Sequence, residues 1–158
     1  MPKYLKLDSH NNLTIEASNK IGYKKQKSFK INIGEIKIAG LKCEIPFDDE
    51  ELYICFIDKN GISNNVNSYF LNEESIRVLK DNFGFSEDYF RLEFKYFEEG
   101  RSLIFFPKKL KGQELYKKWN TNLRTFANRV SRFFHIRYAA EGILSDVATN
   151  YLQSPKSV

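Results

Sequence analysis

The stretch FKINIGEIKIAGLKCEIPFDDEELYICFI, residues 29–57, decides the fold class of this chain. Apolar and polar residues alternate through its first half, which is typical of strands with one buried face. Ala39-Gly40 interrupts this alternation, and a turn or a bulge there would restore the register. The run LYICFI at residues 52–57 has no alternation and predicts a short central strand covered on both faces. The stretch therefore predicts an antiparallel sheet.

Further strands are predicted on both sides of this stretch. YLKLD and LTIEA, residues 4–8 and 13–17, flank the polar turn SHNN. Residues 89–106 return to an alternating pattern, with EEGR as a turn into SLIFF, and Pro107 ends the sheet. Three short stretches complete the prediction: GYKKQK (22–27) as a basic loop, SNNVNS (63–68) as a surface loop, and YFL (69–71) as a brief strand.

A short helix is predicted between the strands, over EESIRVLKDNF at residues 73–83. Asn72 precedes it as an N-cap, and Glu73 and Glu74 lie in its first turn, where carboxylates are favourable. Gly84 is expected to end the helix, because glycine readily adopts the left-handed conformation of a helix terminus.

A long amphipathic helix is predicted in the C-terminal part of the chain. Its apolar residues recur at intervals of three and four over about six turns. They are Leu115, Trp119, Leu123, Phe126, Val130 and Phe133. Arg137 would fall into this apolar stripe, so the helix is expected to end or bend near His135. A second, shorter helix is expected to begin near Gly142 or Ser145.

These elements predict an α+β protein. We expect an antiparallel β-rich sheet or partial barrel of about six to eight strands, with one short helix, the long C-terminal helix and a shorter terminal helix. Residues 1–110 would form the β-rich core and residues 111–158 a helical segment packed on it, in a single domain overall.

The formal net charge of +5 is concentrated near the C-terminus. Residues 1–110 contain 17 Lys plus Arg and 17 Asp plus Glu, whereas residues 111–158 contain 8 and 3. No acid occurs between Glu114 and Glu141. We call residues 117–137 the basic segment. On a continuous helix Lys117, Arg124 and Arg132 face away from the apolar stripe, and Lys118 and Arg129 lie on its flank.

Clustered like charge of this kind is typical of a protein that binds an anionic partner. We therefore expect a nucleic-acid-binding module that contacts the phosphate backbone, with DNA and RNA both open. The predicted contacts are Lys117, Lys118, Arg124, Arg129, Arg132 and Arg137, together with Lys24, Lys25 and Lys27 of the basic loop.

Two other roles remain open for the basic segment. The chain is alternatively an interaction or inhibitor protein that docks on an acidic partner, or one that self-associates through the C-terminal helix. An anionic membrane surface is a weaker alternative.

Enzymatic activity is not expected. Glu93 and Lys95 match part of a metal-dependent nuclease motif, but no Asp lies on the preceding strand, so a nuclease is the weaker hypothesis. Asp8, Ser9 and His10 have the residue types of a hydrolase triad, but successive residues in a turn point apart. We predict no catalytic residue, metal or cofactor.

The two cysteines, Cys43 and Cys55, lie in apolar runs and are expected to be buried, unreactive thiols. No apolar run is long enough to span a membrane, and the first residues lack the apolar stretch of a signal peptide. The sequence therefore predicts an intracellular, cytoplasmic location.

Overall fold

The computed structural model of the chain describes residues 4–16, 19–21, 24–44, 51–86, 102–117 and 143–154. Nine strands and two α-helices lie within these residues. The strands are β1 (Lys6–Leu7), β2 (Asn12–Ile15), β3 (Asn19–Ile21), β4 (Lys24–Gln26), β5 (Phe29–Asn32), β6 (Ile36–Glu44), β7 (Glu51–Asp58), β8 (Ser63–Asn67) and β9 (Ser102–Phe106). The helices are α1 (Glu73–Phe83) and α2 (Asp146–Gln153).

All strand pairs in these residues are antiparallel, which confirms the predicted α+β class. The strands form a three-stranded sheet in the order β1-β2-β5, a hairpin of β3 and β4, and a four-stranded sheet in the order β8-β7-β6-β9. These sheets are not closed into a barrel. A 3-10 helix at Ile33–Glu35 interrupts the chain between β5 and β6, which belong to different sheets.

Two hydrophobic cores lie on opposite faces of the four-stranded sheet. The main core lies between this sheet, the three-stranded sheet and α1, and includes Leu13, Ile31, Ile54, Phe56 and Leu79. The second core consists of Ile38, Cys55, Ile57, Ile104, Leu115, Tyr116 and Ala148. The residues after β9 and helix α2 therefore cover the face that the main core leaves open.

Strand β7 is buried on both faces, as its apolar run predicts. Leu52, Ile54 and Phe56 belong to the main core, and Cys55 and Ile57 belong to the second core. All five are at most 2% exposed. The position of β7 between β6 and β8 explains why its sequence lacks alternation.

Strand β6 contains the irregularity predicted near Ala39-Gly40. Its register against β9 shifts between Ala39 and Gly40, and its register against β7 shifts between Ile36 and Ile38. The second shift places Ile36 in the main core and Ile38 in the second core. The expectation of one buried face for this strand was therefore wrong, because a bulge sends apolar residues to both sides.

Helix α1 begins and ends where the sequence predicts. Asn72 Oδ1 accepts from Ser75 N at 2.8 Å, and Ser75 Oγ accepts from Asn72 N at 3.2 Å, which completes a capping box. Gly84 adopts a left-handed conformation with φ of 68° and caps the C-terminus. The Ser75 hydroxyl also donates to Leu5 O, which connects the helix to the residue before β1.

Three short stretches differ from their predictions. Residues 63–67 form strand β8 rather than a loop, because they pair with β7. Residues 68–70 form a 3-10 helix rather than a strand, because Asn67 Oδ1 accepts from Tyr69 N and turns the chain. Residues 24–26 of the predicted basic loop form strand β4, which pairs with β3.

The long C-terminal helix cannot begin at Leu115. Tyr116 forms an antiparallel bridge with Leu144, so this part of the chain is extended, and Leu115 is buried in the second core. The rest of that prediction, from Lys118 to His135, lies outside the described residues. The shorter helix is confirmed as α2, with Ser145 as its N-cap.

Candidate functional site

Most of the predicted nucleic-acid contacts lie outside the described residues, namely Lys118, Arg124, Arg129, Arg132 and Arg137. Lys117 is described and exposed, at the point where the basic segment begins. Lys24 and Lys25 lie in β4, and Lys27 follows this strand as an exposed residue.

The chain leaves and re-enters the described fold at adjacent positions on either side of residues 118–142. Lys117 N donates to Ile143 O at 2.8 Å, and Ser145 N donates to Leu115 O at 2.9 Å. The Ser145 hydroxyl donates to Glu114 O at 2.6 Å. These bonds, with the bridge of Tyr116 and Leu144, hold both ends of the intervening chain at one place beside β9.

Four exposed lysines lie in residues 108–117, shortly before or at the point where the chain leaves the described fold. We call Lys108, Lys109, Lys111 and Lys117 the basic patch. The residues 102–117 and 143–154 contain these four lysines and only two acids, Glu114 and Asp146. The local surface is therefore positively charged before any charge of residues 118–142 is added.

The basic patch lies against helix α2. Lys109 Nζ lies 4.7 Å from the centroid of the Tyr151 ring, a cation–π contact. Lys117 Nζ lies 3.7 Å from Asp146 Oδ1, and these side chains are 49% and 89% exposed. A pair this exposed contributes little to stability, so Lys117 remains accessible to an anionic partner. Lys108, Lys109 and Lys111 were not predicted, although PKKLKG at residues 107–112 lies four residues before the basic segment and was a usable signal.

A cavity of about 350 Å³ lies between residues 26–29 and strand β8. Its walls are residues 26–29, residues 63–65 and Tyr53. We call it the β8 cavity. Lys27, one of the predicted contacts, lies in its lining, which contains no acid.

Gln26 fixes the wall of the β8 cavity. Its side chain is buried, Oε1 accepts from Asn67 N at 2.9 Å, and Nε2 donates to Asn65 O at 2.7 Å. Strand β8 is at the edge of its sheet, where backbone N–H and C=O groups have no neighbouring strand to pair with. The Gln26 amide takes the place of that strand at Asn65 O and Asn67 N. Sequence reasoning missed Gln26 because its role depends on a contact between residues 39 positions apart.

A buried lysine lies behind the β8 cavity. Lys42 is 4% exposed, and its Nζ lies 5.1 Å from the centroid of the Tyr53 ring and 5.8 Å from that of Tyr116. Tyr116 OH in turn lies 2.8 Å from Ser63 Oγ, in the cavity wall. The Lys42 side chain and the hydrogen bond to Ser63 thus connect the cavity to Tyr116, which directly precedes Lys117.

A second cavity, of about 240 Å³, is a poorer candidate for an anionic ligand. Glu16 and Glu74 line it together with Lys6 and Thr14. Thr14 Oγ1 is buried there and has no hydrogen-bond partner in this part of the structure. The two carboxylates would repel phosphate, so this cavity does not fit the predicted ligand.

The residues that resembled catalytic or metal sites have structural roles where they are described. The Asp8 carboxylate accepts from His10 N at 2.8 Å and from Asn12 N at 2.9 Å, as in an Asx turn. Cys43 and Cys55 are both buried, as predicted, and neither forms a disulfide bond. Within the described ranges no three His, Cys, Asp or Glu side chains are grouped to hold a metal ion. Glu93 and Lys95, the nuclease motif, lie outside these ranges.

The fold thus defines an α+β protein whose four-stranded antiparallel sheet has a hydrophobic core on each face. Comparisons with protein-family profiles, curated proteins and solved structures find no match for the chain. None of the helices in the described part is long and apolar enough to cross a membrane.

Proposed function

We propose that the protein is a non-enzymatic nucleic-acid-binding module that contacts the phosphate backbone through its basic segment. The observation that carries this proposal is the charge pattern of residues 115–140, which contain six lysines and arginines and no acid. An ordinary exposed helix mixes charges of both signs and gains from their pairing. Like charges that no local acid offsets favour an anionic partner instead.

The geometry of the residues on either side of 118–142 supports this role. The bonds between residues 114–117 and 143–145 place Lys117, the first residue of the basic segment, within the described fold, where it belongs to the basic patch. Lys108, Lys109 and Lys117 would therefore add their charges to the same phosphate-binding surface. Arginine binds phosphate oxygens with a planar pair of donors, and lysine acts as a compact charge.

Affinity from such contacts comes mainly from the release of counterions and is largely independent of base sequence. The proposal is tested by fluorescence anisotropy with single-stranded and duplex DNA and RNA, from about 50 to about 200 mM salt. If about four phosphates are neutralised, the slope of log K against log salt is about −3.6 for duplex DNA. Changing Arg124, Arg129 and Arg132 together to Glu should abolish most of this binding.

A control changes Arg77 and Lys80 to Glu on helix α1, which also carries the acids Glu73, Glu74 and Asp81. This control should bind nearly as the wild type does. Absence of binding at about 50 mM salt, or binding indifferent to the triple change, would refute the proposal. Equal competition by poly-glutamate would instead favour an acidic protein partner.

A further inference from the structure

We propose that the β8 cavity binds one nucleotide, with its base inside the cavity and its phosphate at Lys27. The inference rests on the proposed function and adds to it a preference for single strands. The base of a paired nucleotide is stacked and hydrogen-bonded within the duplex, whereas the base of a single strand is free to enter a pocket.

The size and the aromatic walls of the β8 cavity suit a base. Its volume of about 350 Å³ is near the lower end of ligand pockets, which span about 300–1,000 Å³. Phe29 and Tyr53 are both lining residues, but Phe29 packs against the main core and Tyr53 against the second core, on opposite faces of the four-stranded sheet. The Phe29 ring packs on Phe56 with centroids 6.2 Å apart, and Lys42 lies over the Tyr53 ring, so each ring is held in place. A ring held in this way is suited to stacking on, or edge contact with, any base.

The hydrogen-bonding groups of the β8 cavity are not all used by the protein. Within the described residues the Asn64 amide, Asn65 Nδ2 and the Ser28 hydroxyl have no hydrogen-bond partner, whereas Asn65 Oδ1 accepts from Ser63 Oγ. An asparagine amide offers one acceptor and two donors, the same kinds of groups that a base presents at its edge. Successive strand residues point to opposite faces, so Asn64, which pairs with Phe56, lies on the same face as Phe29 and can recognise a base there, whereas Asn65 lies on the other face.

The charge and the location of the cavity favour a nucleotide that belongs to a strand. Lys27 is exposed at the cavity, and the lining contains no acid that would repel a phosphate. The bond between Ser63 Oγ and Tyr116 OH places the cavity next to the start of the basic segment. A strand whose phosphates lie on the basic segment would thus have a base within reach of the cavity.

The test compares a single-stranded 12-mer and a duplex of the same length, each as DNA and as RNA, binding to the full chain. Asn64→Ala should weaken single-strand binding about three- to tenfold, the size expected when one hydrogen-bonding side chain is removed, and leave duplex binding within about twofold. Lys27→Ala should reduce the salt slope for single strands by about 0.7, the contribution of one phosphate. Asn60→Ala is the matched control, because Asn60 is an exposed asparagine that does not line the cavity.

The outcomes separate this inference from the proposed function. If Asn64→Ala changes neither affinity while the triple arginine change lowers both, the cavity inference is overturned and the proposed function stands. If no oligonucleotide binds, the proposed function fails. NMR titration with AMP, CMP, GMP and UMP then tests separately whether the β8 cavity binds a nucleotide. Shifts confined to the amides of residues 26–29 and 63–65 would identify a free nucleotide as the ligand. No such shifts would overturn the inference.

Discussion

At the scale of single residues, Gly40 is a point of close approach between β6, β9 and Leu115. A Cβ atom at this position would lie 2.7 Å from Leu103 O and 2.8 Å from Leu115 Cδ2. The Leu103 contact is with backbone paired in the sheet, so a rotamer change cannot relieve it. We expect Gly40→Ala to lower the free energy of unfolding by about 1–3 kcal/mol, measured by urea denaturation.

Gly34→Ala is the control for this substitution. A Cβ at Gly34 would meet only the side-chain oxygen of Asn32, at 3.1 Å. That side chain can move by a few tenths of an ångström, so a smaller loss of stability is expected. Equal losses for the two variants would show that close packing at Gly40 is not the cause.

Asp8 makes the stability of the first hairpin depend on pH. The backbone N–H of Asn12 is the main cause that lowers the pKa of the Asp8 carboxyl below its usual value of 3.8. The His10 N–H, the Asn12 side chain and Lys30 act in the same direction, and desolvation acts against them. Because the pKa is depressed in the folded state, the ionised carboxylate stabilises the fold above pH 3.8, and this contribution is lost as pH falls through the lowered pKa.

We therefore expect Asp8→Asn to be less stable than the wild type near pH 7, with the difference vanishing in acid below pH 3.8. Thermal unfolding across this pH range measures the difference. Ser9→Ala, a change of the exposed neighbour in the same turn, provides the control. A difference that is constant with pH would show that the charge of Asp8 is not responsible.

At the scale of elements, the stability of helix α1 depends on its N-cap. Asn72 Oδ1 accepts from the backbone N–H of Ser75 at 2.8 Å. Asn72→Ala removes this bond and should lower the free energy of unfolding by about 1 kcal/mol, measured by urea denaturation. Asn72→Asp keeps an acceptor beside the positive end of the helix dipole and should retain most of the stability. A loss of stability of similar size in both variants would contradict the role of the cap.

The elements predicted correctly are those whose signals are local. Asn72 and Gly84 bound helix α1, and the apolar run of β7 indicates burial on both faces, without reference to any distant residue. Strand β8 was missed because Ser and Asn are poor strand formers, and only pairing with β7 makes residues 63–67 extended. Leu115 fits helical spacing equally well, but tertiary pairing with residues 143–145 keeps this part of the chain extended.

The same distinction applies to the candidate site. The charge of the basic segment is a local property of the sequence. Lys27 was likewise predicted as a phosphate contact from the local cluster of lysines at residues 24–27. The β8 cavity was not predictable, because Gln26, Tyr53 and Asn65 come together only through the sheet. Lys42 lies in an alternating strand and has no sequence feature that distinguishes it from a solvated lysine, yet it is buried between two tyrosine rings.

At the scale of the whole molecule, the second core organises the proposed binding surface. The four-stranded sheet carries the main core on one face, and helix α2 with residues 115–116 covers the other. This arrangement positions two lysines of the basic patch, because Lys109 and Lys117 both contact α2. The charged surface therefore has a rigid support rather than depending on the basic segment alone.

Changing Lys108 and Lys109 together to Glu tests whether the basic patch belongs to the binding surface. We expect weaker binding to duplex DNA and a salt slope that is less steep by about 0.9 for each phosphate that the variant no longer neutralises. Changing Arg77 and Lys80 to Glu alters the net charge by the same amount on helix α1, which packs on the main core, and should have a much smaller effect. Lys109→Met removes the charge but keeps an apolar side chain against Tyr151, which separates charge from packing. Anisotropy titrations at several salt concentrations measure all three variants, and an equal weakening of binding by the two charge-reversed pairs would show that only the net charge of the protein matters.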